Sequence, residues 1–199
     1  MPKIVDHDAR RAELAAAMWR VVYRDGVGAA TVRSIAAEAG WSPSALRHYF
    51  ATQTELLLFA MEHVMAEATE RFTAAHWSGT PRDVAQRMLE ELLPLDRQRA
   101  REAEVWLSLA ARVPVDPAAR ERMTEADDGV RRAAELAVTL LTGADPADAA
   151  TAARLHALLD GLTLHALLHP DRMPPARIRD LLAAHLDQLA ERPDTGVGG

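Results

Sequence analysis

An all-α fold is what this sequence predicts, on three observations. Ala and Leu dominate an apolar fraction of 49%, and β-branched clusters are few. Apolar residues recur at i, i+3, i+4 and i+7 in stretch after stretch, which is the spacing of one helical face. Gly and Pro break these stretches, and a Ser, Thr or Asp often stands where the next helix needs a cap. The pattern parses into about nine helices. Three lie in an N-terminal region over residues 1–52, which holds a helix-turn-helix at 31–50. The others form a helical region over 53–193, and a flexible tail follows at 194–199.

Residues 1–5 read as a loose arm carrying Lys3. A first helix is expected from about Asp8 to Asp25, with Leu14, Ala17, Met18, Val21 and Val22 as its buried stripe and Trp19 and Tyr23 packing beside it. Gly26-Val27-Gly28 ends it. Thr31 then caps a helix whose apolar face is Val32, Ile35, Ala36 and Ala39, and Gly40 ends that helix where the chain needs φ > 0. Ser42 caps the next helix, with Pro43 in its first turn, where no N–H is missed. Leu46, Tyr49 and Phe50 point inward, while Pro43, Ser44, Arg47 and His48 are left outside. Trp41 in the turn is expected to plug the space between the three helices.

A small residue at 36, a turn glycine at 40 and a buried apolar residue at 46 make the helix-turn-helix pattern. The outer face of its second helix is short and polar, and it begins with small residues that permit close approach. An Arg on such a face can bond O6 and N7 of guanine, and hydroxyls can reach phosphates or base edges. By themselves these residues fit an ordinary αα-hairpin equally well.

Further on, a long helix is expected from the Thr52 cap to about Trp77, with Leu57, Ala60, Met61, Val64, Met65 and Ala68 as its stripe. Ser78-Gly79-Thr80-Pro81 breaks the chain. Helices over 81–93, 96–112 and 117–141 follow, the last with Asp116 as its cap. Asp145 is expected to cap the next helix at Pro146, which runs to 169. In that helix Leu155, Leu158, Leu159, Leu162 and Ala166 make one stripe, while Leu164, Leu167 and Leu168 make a second face apolar. The last helix, 175–190, carries Ile178, Leu181, Leu182, Leu186 and Leu189. A helix apolar on two faces has to bury two faces.

Composition excludes much. Without cysteine there is no disulfide, no thiolate catalysis and no Cys-based zinc site. There is no uncharged apolar run of about 18 residues and no apolar core in the first residues, so a soluble, cytoplasmic chain with no membrane partner is expected. The HExxH and ExxH spacings are absent. His165 and His169, at i and i+4, are the one histidine pair at ligand spacing, so no metal site is expected. No glycine-rich phosphate loop occurs, and no cofactor is expected. The net charge is −6, but residues 1–50 hold seven basic and five acidic side chains, a net of +2. That asymmetry suits contact with nucleic acid by one end.

With its flanks, the helix-turn-helix resembles the N-terminal domain of the TetR family of bacterial regulators. The first helix with Leu14, Ala17 and Gly26, then TVRSIAAEAG, SPSALRHYF, the Thr52 cap and Glu55-Leu56-Leu57 carry the likeness. The stretches EAEVWLSLAARVPVDP and DGLTLHALLHP resemble the body of the betaine-regulator subgroup. The resemblance implies a homodimeric regulator, most simply a repressor, that binds a palindromic double-stranded DNA operator and is released by a small-molecule effector. It assigns DNA contact to Thr31, Arg33, Ser42, Pro43, Ser44, Arg47, His48, Tyr49 and Gln53. The family usually has Lys where Gln53 stands, and Gln offers phosphate a neutral hydrogen bond that releases no counterion. The resemblance implies that residues 53–193 bind effector and dimerise. Effector contact falls to Met61, Met65, Trp77, Met88, Trp106, Met123, His156 and Asp160. The dimer interface falls to Leu155, Leu158, Leu159, Leu162, Ile178, Leu182, Leu186 and Leu189.

Two other readings stand beside this one: a helical interaction protein whose head binds protein, and a small helical enzyme. The second lacks any nucleophile, metal or cofactor constellation. Met and Trp stripes and the His156–Asp160 pair also fit ordinary core and a satisfied polar seam.

Overall fold

The structure, a computed structural model, describes residues 7–144 and 146–191, and contains no strand among them. The Lys3 arm, the Asp145 cap and the 194–199 tail lie outside the described residues. The helices are α1 (His7–Asp25), α2 (Val32–Ala39), α3 (Pro43–Arg47), α4 (Gln53–Ala74), α5 (Pro81–Glu90), α6 (Arg97–Ala110), α7 (Pro117–Thr142), α8 (Ala149–Leu168) and α9 (Pro175–Ala190), with one 3-10 turn at Val27–Ala29. The chain divides into two compact units, residues 1–66 with 104–123 and residues 67–103 with 124–199. This partition differs from the cut expected at 52/53, because α4 continues past its N-terminal turns without a break.

In the first unit α1 packs on α2 and α2 on α3. Leu14, Ala17, Met18, Val21 and Val22 are buried on α1, Ile35 and Ala36 on α2, Leu46 on α3, and Leu56, Leu57, Ala60 and Met61 on α4. Full burial of each large side chain contributes about 1.5–3 kcal/mol before chain entropy is set against it. Trp19 joins this core, between Tyr23 at 5.1 Å and His63 at 4.8 Å. α3 is shorter than its sequence pattern. It ends at Arg47, and a turn at His48–Tyr49 carries the chain to the buried Phe50.

The second unit is built on Met88, Leu89 and Leu93 from α5 and the residues after it, Ala134, Ala137 and Val138 from α7, Leu155, Leu159 and Leu162 from α8, and Ile178, Leu182, Leu186 and Leu189 from α9. Arg82 fastens α5 to α9 through Asp187 Oδ1 at 2.6 Å and the Ala183 carbonyl at 3.0 Å. Arg71 donates two bonds to Glu102, at 3.0 and 2.8 Å, and Glu91 stands at 3.2 Å. Burial opposes the charge of Arg71, but the Glu102 and Glu91 carboxylates outweigh it and hold the guanidinium's pKa above its ordinary value.

Helix ends follow local chemistry. α4 stops at Ala74, short of the expected Trp77, whose indole N–H turns back to the Phe72 carbonyl at 3.2 Å. Thr80 and Asp83 form a capping box that starts α5 at Pro81. α8 starts at Ala149, where Asp148 accepts from the Thr151 N–H at 2.8 Å. The cap described there is therefore Asp148, three residues beyond the expected one.

Candidate nucleic-acid interface and effector-facing residues

The helix-turn-helix is assembled by caps. Thr31 Oγ1 accepts from the Ser34 N–H at 3.2 Å, and Ser34 Oγ accepts from the Thr31 N–H at 2.9 Å. Ser34 also donates to the Ala29 carbonyl at 2.6 Å. Gly40 sits at φ 70°, ψ 24°, the left-handed conformation that turns the chain from α2 towards α3. Ser42 Oγ accepts from the Ala45 N–H at 3.2 Å and lies 3.0 Å from Ser44 Oγ. Thr31 and Ser42 are thus exposed, but their oxygens already serve the helix starts.

Ser42, Pro43, Ser44, Arg47 and His48 are exposed together along α3 and its C-cap, and Tyr49 is half-buried. Arg33 is exposed on α2. The head's arginines fall into two classes. Arg20 and Arg24 both bond Glu38, at 2.7 and 2.9 Å, and those hydrogen bonds hold the Glu38 carboxyl below its ordinary value. Arg33 and Arg47 have no carboxylate partner among the described residues. This network between α1 and α2 neutralises Arg20 and Arg24 and leaves the arginines of the helix-turn-helix open.

Two residues behave differently from their sequence reading. Gln53 turns its side-chain amide onto the Ala30 carbonyl at 3.0 Å, tying the start of α4 to the residue before the α2 cap. It is a clamp within the head as well as a candidate phosphate donor. Trp41 is half-buried and does not plug the centre of the head. Arg10 lies over its ring at 5.0 Å, Tyr49 meets it edge-on at 5.6 Å, and its indole N–H donates to Glu13 at 3.2 Å. Sequence spacing gave no signal for either contact, since each joins residues far apart in the chain.

The residues expected to meet an effector separate by burial. Met61 lies in the core of the first unit and Met88 in that of the second. Met65, Trp106 and Met123 are half-buried in the first unit. In the second, Trp77 is half-buried against Phe72 at 5.7 Å, and His156 and Asp160 are half-buried on α8. His156 Nε2 lies 3.3 Å from Asp127 Oδ1 and 3.7 Å from Asp160 Oδ2. Burial pushes the Asp160 carboxyl above its ordinary value; His156 opposes this and Asp127 adds to it. Asp127 was missed in the sequence because it comes from a different helix.

Of the eight leucines and isoleucines expected at a dimer interface, Leu155, Leu159, Leu162, Ile178, Leu182, Leu186 and Leu189 are buried in their own unit's core, and Leu158 is half-buried. The expectation needs correcting here. Helical periodicity identifies a face that is buried, and these side chains are already spent on α5, α7 and each other. The large apolar side chains that α8 and α9 leave exposed are Leu168 (56%) and Leu181 (37%).

Residues 14–59 match the family described as bacterial regulatory proteins, tetR family, and residues 81–191 match that of the BetI-type transcriptional repressor, C-terminal. The HTH-type transcriptional regulator PksA of Bacillus subtilis (strain 168) is 37% identical over 95% of this chain and 94% of its own length. The crystal structure of a transcriptional regulator from Rhodococcus sp. Rha1 superposes with a TM-score of 0.76 at 29% identity, covering 92% of this chain and 99% of the other. That of the multidrug binding protein EbrR complexed with ethidium does so with a TM-score of 0.63 at 29% identity, covering 88% and 98%. No helix among the described residues is long and apolar enough to cross a membrane.

Proposed function

Since the chain belongs to the TetR family and is a DNA-binding transcriptional regulator, we propose that it is a homodimeric repressor that binds a palindromic operator and leaves it when a small molecule binds. One observation carries the operator reading. Arg47, on the exposed face of α3, has no carboxylate partner among the described residues, although Arg20 and Arg24 of α1 do. An unpaired guanidinium beside small side chains is equipped for a bidentate bond to guanine, while Arg33 suits phosphate. Pro43, Ser44, His48 and Tyr49 line the same approach, with Thr31, Ser42 and Gln53 fixing its helix ends.

A dimer supplies the two recognition helices that a palindrome requires, about 34 Å apart. We assign its pairing surface to the outward faces of α8 and α9, around Leu168 and Leu181. The effector reading leans on Met65, Trp77, Trp106, Met123, His156 and Asp160, which keep part of their surface, and less on the buried Met61 and Met88. The relative EbrR binds ethidium, so ethidium is a reasonable first probe. The effector acts if it favours a state in which the heads no longer fit successive grooves.

The test is selection of bound sequences from a random DNA library at moderate salt, with wild type and Arg47→Ala side by side. A palindrome is expected from wild type, relaxed in the variant at one base pair per half-site by about 1–3 kcal/mol. No enriched sequence from wild type would overturn the operator reading. Operator affinity is then measured with and without ethidium and a panel of organic cations. At least a tenfold loss is expected for an effector, and no shift with any member would remove the effector clause.

A further inference from the structure

The acidic side chains of the second unit mostly come with a permanent cation. Glu91 and Glu102 surround Arg71, and Arg99 adds to Glu91 at 3.1 Å. Asp128 and Glu135 share Arg131 at 3.0 and 2.7 Å, and Asp187 holds Arg82. Asp127 and Asp160 do not. No Arg or Lys pairs with either among the described residues, and the one group between them is the His156 imidazole.

The geometry around that imidazole is specific. His156 and Asp160 stand at i and i+4 on α8, on one face, and Asp127 reaches the same point from α7. One donor atom from each of the three lies within 4.8 Å of the others. The 3.3 and 3.7 Å separations from Nε2 are close to the spacing of about 3.3–3.5 Å between ligand atoms that share one tetrahedral ion at about 2.0–2.2 Å. Nε2 itself is buried and makes no hydrogen bond. Among the described residues, a buried imidazole nitrogen without a hydrogen bond here meets two carboxylate oxygens without an arginine or lysine. A cation among the three donors answers both needs at once.

We propose that Asp127, His156 and Asp160 form a binding site for a divalent transition-metal ion of the zinc class. Imidazole with two carboxylates is a donor set of borderline hardness that suits such ions, and three protein ligands leave coordination positions open to water. The absence of HExxH and ExxH spacing argued against a metal from sequence alone. The site escapes that argument because its third donor comes from another helix. His165 and His169, the pair at ligand spacing in the sequence, lie with ring centroids 5.9 Å apart, and no carboxylate joins them in a donor group among the described residues.

The full chain, free of any affinity tag and stripped with chelator, is titrated with Co2+ and followed by visible d–d absorption, then with Zn2+ in competition. One Co2+ per chain is expected, displaced by Zn2+. Asp127→Asn and His156→Gln are each expected to weaken binding at least about tenfold, as ligand loss should exceed the effect of losing an outer-shell partner. His169→Ala is expected to bind as wild type. Asp127 lies exposed on α7, so Asp127→Asn decides the question even if His156→Gln fails to fold. Absence of saturable Co2+ binding below millimolar concentration would overturn the site. So would binding that survives Asp127→Asn, or binding lost in His169→Ala while the helical circular dichroism stays native.

Discussion

Gln53 has two jobs to reconcile. Its amide is 3.0 Å from the Ala30 carbonyl, one bond before the Thr31 cap, so it helps fix where α2 begins. Under the operator proposal it also faces phosphate, where it brings no charge. Gln53→Lys separates the two roles. The lysine restores a phosphate charge and removes the clamp. The slope of log affinity against log salt should steepen by about 0.9 per protomer, measured by anisotropy on a selected operator at several salt concentrations. An unchanged slope would mean that residue 53 does not reach phosphate. Caps such as Thr31, Ser42 and Thr80 were legible in the sequence, because a cap is a contact over three residues. The Gln53 clamp, the Arg10–Trp41–Tyr49 stack and the Asp127–His156 approach were not, because each depends on where a distant segment returns.

At the scale of elements, the helix-turn-helix stands on one backbone conformation. Gly40 holds φ at +70°, and a Cβ built there meets nothing within 4 Å. The cost of Gly40→Ala is therefore the left-handed backbone itself, about 1–2 kcal/mol, with no steric clash added. Thermal unfolding should show that loss, and operator affinity should fall with it, because the turn sets the angle of α3. A variant as stable as wild type would show that the turn relaxes to another conformation. The same scale shows how far periodicity reads. The stripes on α8 and α9 correctly marked buried faces, and even the last helix matches its expected bounds, Pro175–Ala190. Periodicity carries no label for what does the burying. Seven residues expected against a partner copy accordingly lie in their own unit's core, while Leu168 from the second face of α8 and Leu181 from the stripe of α9 stay exposed.

Whole-molecule behaviour includes acid response, and its sign can be worked out. Hydrogen bonds from Arg20 and Arg24 hold Glu38 below its ordinary value, and bonds from Thr80 do so for Asp83 and from Thr151 for Asp148. In each case the unfolded chain takes up the proton at higher pH than the folded one. Their stabilisation is complete above the ordinary carboxylate range and is lost as pH falls through the depressed folded values. The melting temperature should be nearly level from pH 7 to about 5 and fall below about 4.5. Glu38→Gln should flatten part of that fall.

Assembly is the other whole-molecule property, and there the proposal can fail cleanly. A palindrome-reading dimer needs a self-complementary surface, and in a two-fold interface any side chain near the axis is counted twice. Leu168 is 56% exposed at the end of α8, and α9 leaves Leu181 outward as well. Neither belongs to the buried core, so Leu168→Glu should leave the fold of the isolated chain intact. Across a pairing surface, the same change buries a charge against apolar side chains. The cost is about 2 kcal/mol or more for each substituted residue, twice over in the dimer. Sedimentation should therefore show a dimer for wild type and a concentration-dependent shift to monomer for the variant, with circular dichroism unchanged. Operator binding should weaken in parallel, because two half-sites would then be filled by independent chains. A variant that stays dimeric would move the pairing surface away from the end of α8, and a monomeric wild type would remove the dimer from the proposal altogether.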